Sequence, residues 1–360
     1  MTTVETPERR DMDASIKVVR DNADRIFLWD YDRSRDQLVT LYNKAMSSQW
    51  SSVTDLDWST EVDPEQLIAT SPQQNVTIEL ARAAAEEPGS PIAHWSDKEF
   101  TQLGIEALKA SLSQFMHGEQ GAMMVAAKIV ETVPWIDAKY YASTQTMDEA
   151  RHTEVFAKYL HTKLGEAYPM SPFLEAQIMA LIEDGRWDIA YLGMQIVIES
   201  LALAAFGAML RSTEEPLLKK LLRYVMADEA RHVAFGVLSL QEYYKELSAA
   251  ELRERQEFAF EAAIRMKDRM VMQEVWEHME VPTADVIKIM NAAPERDEFQ
   301  ILLFSKIVPN LKKLGLLDAA DGWLRERFTE MGAIAFENLS DSTEEEDAFA
   351  DGSPVDRAVA

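Results

Sequence analysis

Two short stretches of this chain carry the residue types that hold metal ions. MDEARHTEVF, residues 147–156, and MADEARHVAF, residues 226–235, share the pentapeptide DEARH in a chain with only six histidines. Within each copy a glutamate and a histidine stand three apart, and on a helix of 3.6 residues per turn such residues project from one face. Glu149 with His152 and Glu229 with His232 are therefore two chelating pairs. One such pair arises by chance on many helix surfaces, whereas two with the same flanks point to a single shared site. Oxygen and nitrogen ligands of this kind suit iron and manganese.

The remaining ligands are found by asking what would face these pairs in a helical bundle. Glu119 stands thirty residues before Glu149, and Glu199 thirty residues before Glu229. The midpoint of the first interval is Pro134, and that of the second falls in STEEP, residues 212–216. Both are turn sequences, so each pair of acids lies about 15 residues, or roughly 22 Å, from the bend of an antiparallel hairpin. The two members of each pair then meet face to face. Glu119 in GEQGAMMVAA and Glu199 in VIESLALA have apolar surroundings, where an uncompensated carboxylate is costly and takes up a proton. Two divalent ions would balance the four glutamates, with His152 and His232 neutral.

The elements that must position these six residues are helices. SDKE, residues 96–99, has the spacing of a capping box and opens a run with no breaker except glycine as far as Val133. A second helix runs from Trp135 to about Leu164 and is stopped by Gly165. A short one covers about 173–183, and the apolar run 189–210 continues to Arg211. A fifth begins after STEEP and ends near Glu246. The N-terminal part predicts one helix between Ser34 and Trp50, loop and a short helix over 51–75, and a helix over Val76–Glu87. The C-terminal part predicts amphipathic helices broken at Pro282, Pro294 and Pro309. No stretch reads as a strand, so the class is all-α. The expected organisation is a flexible N-terminus (1–15), a helical extension (16–96), a four-helix bundle (97–247), further helices packed on it (248–338) and a disordered acidic tail (339–360).

Composition narrows the function. The formal net charge is −26, from 36 Lys plus Arg against 62 Asp plus Glu, which disfavours nucleic acid and anionic membranes. The absence of cysteine removes disulfides, thiolate zinc sites, iron–sulfur clusters and cysteine nucleophiles. The polar N-terminal segment has no secretory signal pattern, and a cytoplasmic location is the expectation. The run at 189–210 is long enough to span a membrane, but Gln195, Glu199 and Ser200 at its centre argue for a buried bundle helix and no membrane span.

One glutamate from each of two helices, with Glu-x-x-His from each of two others, is the ligand pattern of ferritin-like di-iron carboxylate proteins. Over about residues 97–247 the chain resembles that superfamily, with all six ligand positions filled. The resemblance implies a ferritin-like four-helix bundle with additional N- and C-terminal helices. It also implies that Asp148 and Asp228 receive hydrogen bonds from the ligand imidazoles across the site, with Arg151 and Arg231 neutralising them. Two iron ions, or a manganese/iron pair on the same ligands, would then activate O2.

Departures from several subfamilies follow the same residues. A ribonucleotide-reductase small subunit carries a radical-forming tyrosine where this chain has Phe156. N-oxygenases of aryl amines add a histidine where this chain has Val225, a difference that sets it apart from them. R2-like ligand-binding oxidases crosslink a valine and a tyrosine at positions that are Gly121 and Met194 here. Multicomponent monooxygenases have a threonine in place of Leu203. What remains is a non-haem di-iron oxygenase acting by hydroxylation, N-oxygenation or desaturation on a small or chain-like organic substrate. Helical spacing places Phe115, Met116, Ala122 and Met123 around Glu119, and Gln195, Ile196, Ala202, Leu203 and Phe206 around Glu199, with Phe156 at the side, as the walls of an apolar pocket.

No flavin, haem or iron–sulfur motif is visible, so an external ferredoxin or reductase is the expected electron donor. A homodimer is one assembly open to the chain. Two alternatives stand beside the oxygenase. A radical-generating or oxidase subunit would show a Trp/Tyr chain to the surface through Tyr140, Tyr141 or Tyr224, and a ferritin-like storage protein would hold many irons in a cage.

Overall fold

Proline, glycine and capping side chains divide the chain into helices. The computed structural model of the protein describes residues 17–70, 72–267, 272–282, 285–286 and 296–340. The expected flexible N-terminus (1–15) and the acidic tail from residue 341 onward lie outside the described residues. Every described helical or extended stretch is helix or loop, with no strand among the described residues.

Three short helices come first: α1 (Asp36–Ser47), α2 (Pro64–Ala69) and α3 (Pro72–Glu86). The last begins before the expected Val76, with Pro72 in its first turn, where a missing N–H costs nothing. Helix α4 (Asp97–Thr132) opens on the expected capping box: the Ser96 hydroxyl accepts from the Lys98 N–H, and the Glu99 carboxylate accepts from the Ser96 N–H at 2.7 Å. A bend at Val133–Trp135 leads into α5 (Ile136–Tyr159). That helix continues as a π turn (Leu160–Leu164) and ends at Gly165, whose φ of +101° would strain any other residue. After α6 (Pro172–Glu183) comes a continuous helical rod, Trp187–Ser212. Expected as plain α-helix, it is α7 (Trp187–Tyr191), a π turn (Leu192–Ile198) and α8 (Glu199–Ser212). Glu215 caps α9 (Pro216–Tyr243), accepting from the Leu217 and Leu218 N–H groups.

Helices α4 and α5 form one antiparallel hairpin, α8 and α9 the other, and α5 packs on α9 to join them into a four-helix bundle. Helix α1 lies across both α5 and α9, and α6 packs on α4. Behind the rod lie α10 (Ala249–Lys267) and α12 (Arg296–Lys313), with α11 (Gln273–His278) against α4 and α13 (Trp323–Glu330) against α10. Pro309 lies inside α12 and does not break it, contrary to expectation; Leu303, Ile307, Val308 and Leu311 on both sides of it are buried, and this packing outweighs one lost backbone hydrogen bond. Pro294 lies outside the described residues. The rod is long and apolar enough to cross a membrane, yet 83% of its most apolar stretch is buried inside the protein.

Candidate metal centre

The two hairpins bring all six expected ligands to one level in the middle of the bundle. Helix α4 supplies Glu119, α5 supplies Glu149 and His152, α8 supplies Glu199 at its first residue, and α9 supplies Glu229 and His232. None of the six is more than 5% exposed. Their ligand atoms fall into two groups, each within 4.8 Å: Glu119, Glu149, His152 and Glu229 in one, and Glu149, Glu199, Glu229 and His232 in the other. Glu149 and Glu229 belong to both, so the two groups share a pair of central carboxylates.

The imidazoles are oriented by aspartates on the opposite hairpin. His152 on α5 places Nε2 3.0 Å from Oδ2 of Asp228 on α9, and His232 on α9 places Nε2 3.3 Å from Oδ2 of Asp148 on α5. An Nε2–H donated to aspartate leaves the Nδ1 lone pair free to bind an ion. Both Nδ1 atoms do face the carboxylates: His152 lies 3.1 Å from Glu229 and 3.2 Å from Glu119, and His232 lies 3.1 Å from Glu149. Arg151 donates to Asp148 and, at 3.2 Å, to Asp228, and Arg231 donates to Asp228.

The electrostatics are those of a site built around positive charge. Burial pushes Glu119 and Glu199 well above the usual carboxylate range, and the neighbouring charges of Glu229 and Glu149 add to it. Burial would lower both histidines, but the carboxylates around them outweigh it and hold each well above its ordinary value. Glu149 is driven well below its ordinary value: burial opposes this, and the imidazoles of His232 and His152 overcome it. Several buried atoms of the same cluster have no hydrogen-bond partner, namely Glu149 Oε2, Glu199 Oε2, both oxygens of Glu229 and His232 Nδ1. Orphaned acceptors converging on one point, among acids that would otherwise retain protons, fit a pair of divalent cations.

Three residues at the site were not anticipated. Gln145, one turn before Glu149, donates from its amide to Glu199 at 2.8 Å and to Glu149 at 3.1 Å. Gln49 donates to Asp148 at 3.2 Å and accepts from Arg151 at 2.8 Å. Trp50 donates its indole N–H to Asp228 at 2.7 Å. The spacing of Gln145 from Glu149 could have revealed it, whereas nothing in the local sequence ties Gln49 and Trp50 to residues about a hundred or more positions away.

The expected pocket residues divide. Phe115, Phe156 and Phe206 form a mutual ring cluster, with centroids 4.7–5.9 Å apart. Ala122 and Leu203 are buried in the main core; Met116 and Ala202 are half-buried against it, and Met123 is half-buried. The π turn alters the relation of Gln195 and Ile196 to Glu199, whose N–H bonds to the carbonyl of Met194 five residues back. Gln195 donates to Gln145 at 3.2 Å, and it and Ile196 pack against Gly236 of α9, where a Cβ would come within 2.6 Å of Gln195.

Residues 118–315 match the family model described as p-aminobenzoate N-oxygenase AurF, which is more than half of the chain. Among solved structures, a glycine-to-phenylalanine variant of an R2-like ligand-binding oxidase with anaerobically reconstituted Mn/Fe cofactor is 14% identical; the match covers 78% of this chain and 91% of that one, with a TM-score of 0.45. A valine-to-isoleucine variant of such an oxidase, aerobically reconstituted with Mn/Fe, is 14% identical over 84% and 94% of the two chains, with the same TM-score. No curated protein sequence matches the chain.

Proposed function

This chain belongs to the AurF family of p-aminobenzoate N-oxygenases, and on that premise we propose that it activates O2 at a dinuclear iron centre to oxidise a small organic substrate, with an aryl amine as the best-supported class. The family match corrects the expectation drawn from Val225: the matched region spans that residue, so lacking a histidine there does not place the chain outside the N-oxygenases.

The observation that carries the reading is the sharing of Glu149 and Glu229 between two buried groups of ligand atoms. Glu119, Glu149, His152 and Glu229 would hold one ion, and Glu149, Glu199, Glu229 and His232 the other. When bound, two iron ions, or iron with manganese, supply the redox capacity for reducing O2. The chain's own residues do the rest. Asp148 and Asp228 keep each imidazole in the tautomer that presents Nδ1, and Arg151 and Arg231 hold those aspartates in place by pairing with them. Phe115, Phe156 and Phe206 form an apolar wall suited to an aromatic ring and exclude water from that side. Two electrons per turnover would come from an external ferredoxin or reductase.

A second reading, a subunit that passes an oxidising equivalent to a partner, is favoured by one observation. Half-buried Tyr224 stacks on Trp50 at 4.9 Å, and Trp50 reaches His152 through Asp228. Tyr140 and Tyr141 do not join this chain: Tyr140 packs near Tyr42, and Tyr141 near Phe235.

Anaerobic loading with ferrous iron, followed by O2 and an aryl amine, tests the proposal. Two ions per chain, a transient dinuclear optical signal and an N-oxygenated product are expected. No such signal, with Glu119→Ala and Glu199→Ala indistinguishable from wild type, would overturn it.

A further inference from the structure

Beneath the ligands, three helices place polar groups in one file through an otherwise apolar core. On α5, Tyr141, Gln145 and Glu149 are four apart and share a face. On the rod, Tyr191 and Gln195 descend from Glu199, and on α9 Ser239 lies below His232 on the far side of Gly236. Each of these polar side chains is at most 1% exposed apart from Glu199 at 3%. The upper part of the file is hydrogen-bonded: Gln195 donates to Gln145, which donates to Glu149 and Glu199.

The lower part has no protein partners. Gln195 Oε1, the hydroxyls of Tyr141, Tyr191 and Ser239, and the Tyr244 hydroxyl below them are buried and unpaired. Ser239 is close enough to the Tyr191 hydroxyl to influence it, yet outside hydrogen-bond geometry. One orphaned hydroxyl is a local cost, whereas several in one file mark a place where water completes the hydrogen bonding. At the far end Asp188 pairs with Arg255 at 2.9 Å, and Arg255 meets Glu254 at 2.8 Å, whose side chain is 54% exposed.

We propose that this file is a hydrated proton path, linking solvent at Glu254, beyond the buried Asp188–Arg255 pair, to the carboxylates of Glu149 and Glu199 through waters held by Tyr191, Ser239, Tyr141 and Gln195. The inference rests on the oxygenase reading for its use. Placing one atom of O2 in a substrate consumes two electrons, from the external one-electron carrier protein, and two protons, with the other atom leaving as water. Those protons must reach a cluster that side-chain packing keeps dry. Along the path each hydroxyl or water accepts one proton and releases another, and the last transfer, to Glu149 or Glu199, runs through water beside Gln145, whose amide orients the acceptors and carries no proton. Tyr141, Tyr191 and Ser239 end unchanged and no electron moves through them.

A crystal structure of the metal-free protein tests the hydration directly. Ordered waters bonded to the Tyr141, Tyr191 and Ser239 hydroxyls are expected. Tyr191→Phe and Ser239→Ala should retain two ions per chain, lower the midpoint of thermal unfolding, slow O2 consumption about tenfold and enlarge its solvent deuterium isotope effect. A dry file, with Tyr191→Phe raising the unfolding midpoint as removal of an orphaned hydroxyl would, overturns the proposal. A dry file in an active oxygenase defeats the path alone, whereas waters in place with no O2 consumption defeat the oxygenase reading and leave the hydration standing.

Discussion

The Nε2 atom of His152 lies 3.0 Å from Oδ2 of Asp228, on a helix of the opposite hairpin. The contact fixes which imidazole nitrogen faces the carboxylate cluster, and it ties the two hairpins together at the height of the site. Asp228→Asn can present its amide N–H to Nε2 and turn the proton to Nδ1, the ion-binding side. Removal of such a partner typically costs about 10–100-fold in metal affinity. Competition titration with a chromogenic chelator should show a loss of that size, with the fold retained by circular dichroism.

Gln145 spans Glu149 and Glu199 with one amide. Gln145→Leu removes a buried donor from two carboxyl acceptors, which costs about 1–3 kcal/mol in the metal-free protein. Denaturant unfolding with and without ions should show the penalty to be smaller when ions satisfy those carboxylates.

The histidines and Glu119 and Glu199 set the pH response. All four are raised above their ordinary values, 6.5 for His and 4.5 for Glu, so the folded metal-free protein binds protons that the unfolded chain releases. Their contribution is complete below the ordinary values and is lost as pH rises through the raised ones. Glu149 and Asp228, both lowered, contribute in the opposite sense and lose their part as pH falls toward acid. Metal-free protein should therefore lose thermal stability as pH rises above 6.5. Ion affinity should rise over the same range, roughly tenfold per pH unit for each proton displaced. Differential scanning fluorimetry across pH 6–9, with and without manganese, checks both signs.

Trp50→Phe keeps a ring against Tyr224 and removes the indole N–H from Asp228. A hydrogen bond to a charged acceptor is worth about 1.5–3 kcal/mol, and chemical denaturation should register that loss. If Trp50 also carries electrons to the site, stopped-flow reduction by a chemical donor should slow while metal content holds.

Gly236→Ala would place a Cβ 2.6 Å from Cβ of Gln195 and 3.3 Å from Ile196. Neither α9 nor the π turn can yield freely, so a cost of about 1–3 kcal/mol is expected. Displacement of Gln195 should also lower metal occupancy, measured by elemental analysis.

The six candidate ligands were legible as a cluster because the chemistry is periodic. Two copies of DEARH and two glutamates at equal offsets locate a site in a helical bundle without any knowledge of packing, and Pro134 and STEEP locate its bends. The residues that hold Asp148 and Asp228 from outside were not legible. Gln49 and Trp50 reach them only because α1 crosses α5 and α9, a relation set by tertiary packing. The π turn was hidden for a different reason: an insertion of this kind leaves no compositional mark in an apolar run, and it changes which residues face Gln145. Pro309 misled because burial on both sides of a proline can hold a helix together.

The burial of the Trp187–Ser212 rod has a consequence for synthesis. This segment is apolar enough to partition into a bilayer, and its cover includes α9, α10 and α12, all encoded after it. As the chain leaves the ribosome the rod emerges with only the earlier helices, α3, α4 and α6 among them, ready to receive it, and much of it stays exposed until at least α9 follows. A nascent chain stalled near residue 215 would present an adhesive, membrane-seeking surface to chaperones and translocation machinery. The later helices act as cover for a hazard that elongation creates, and the speed of translation past Tyr243 bears directly on how much protein survives its own birth.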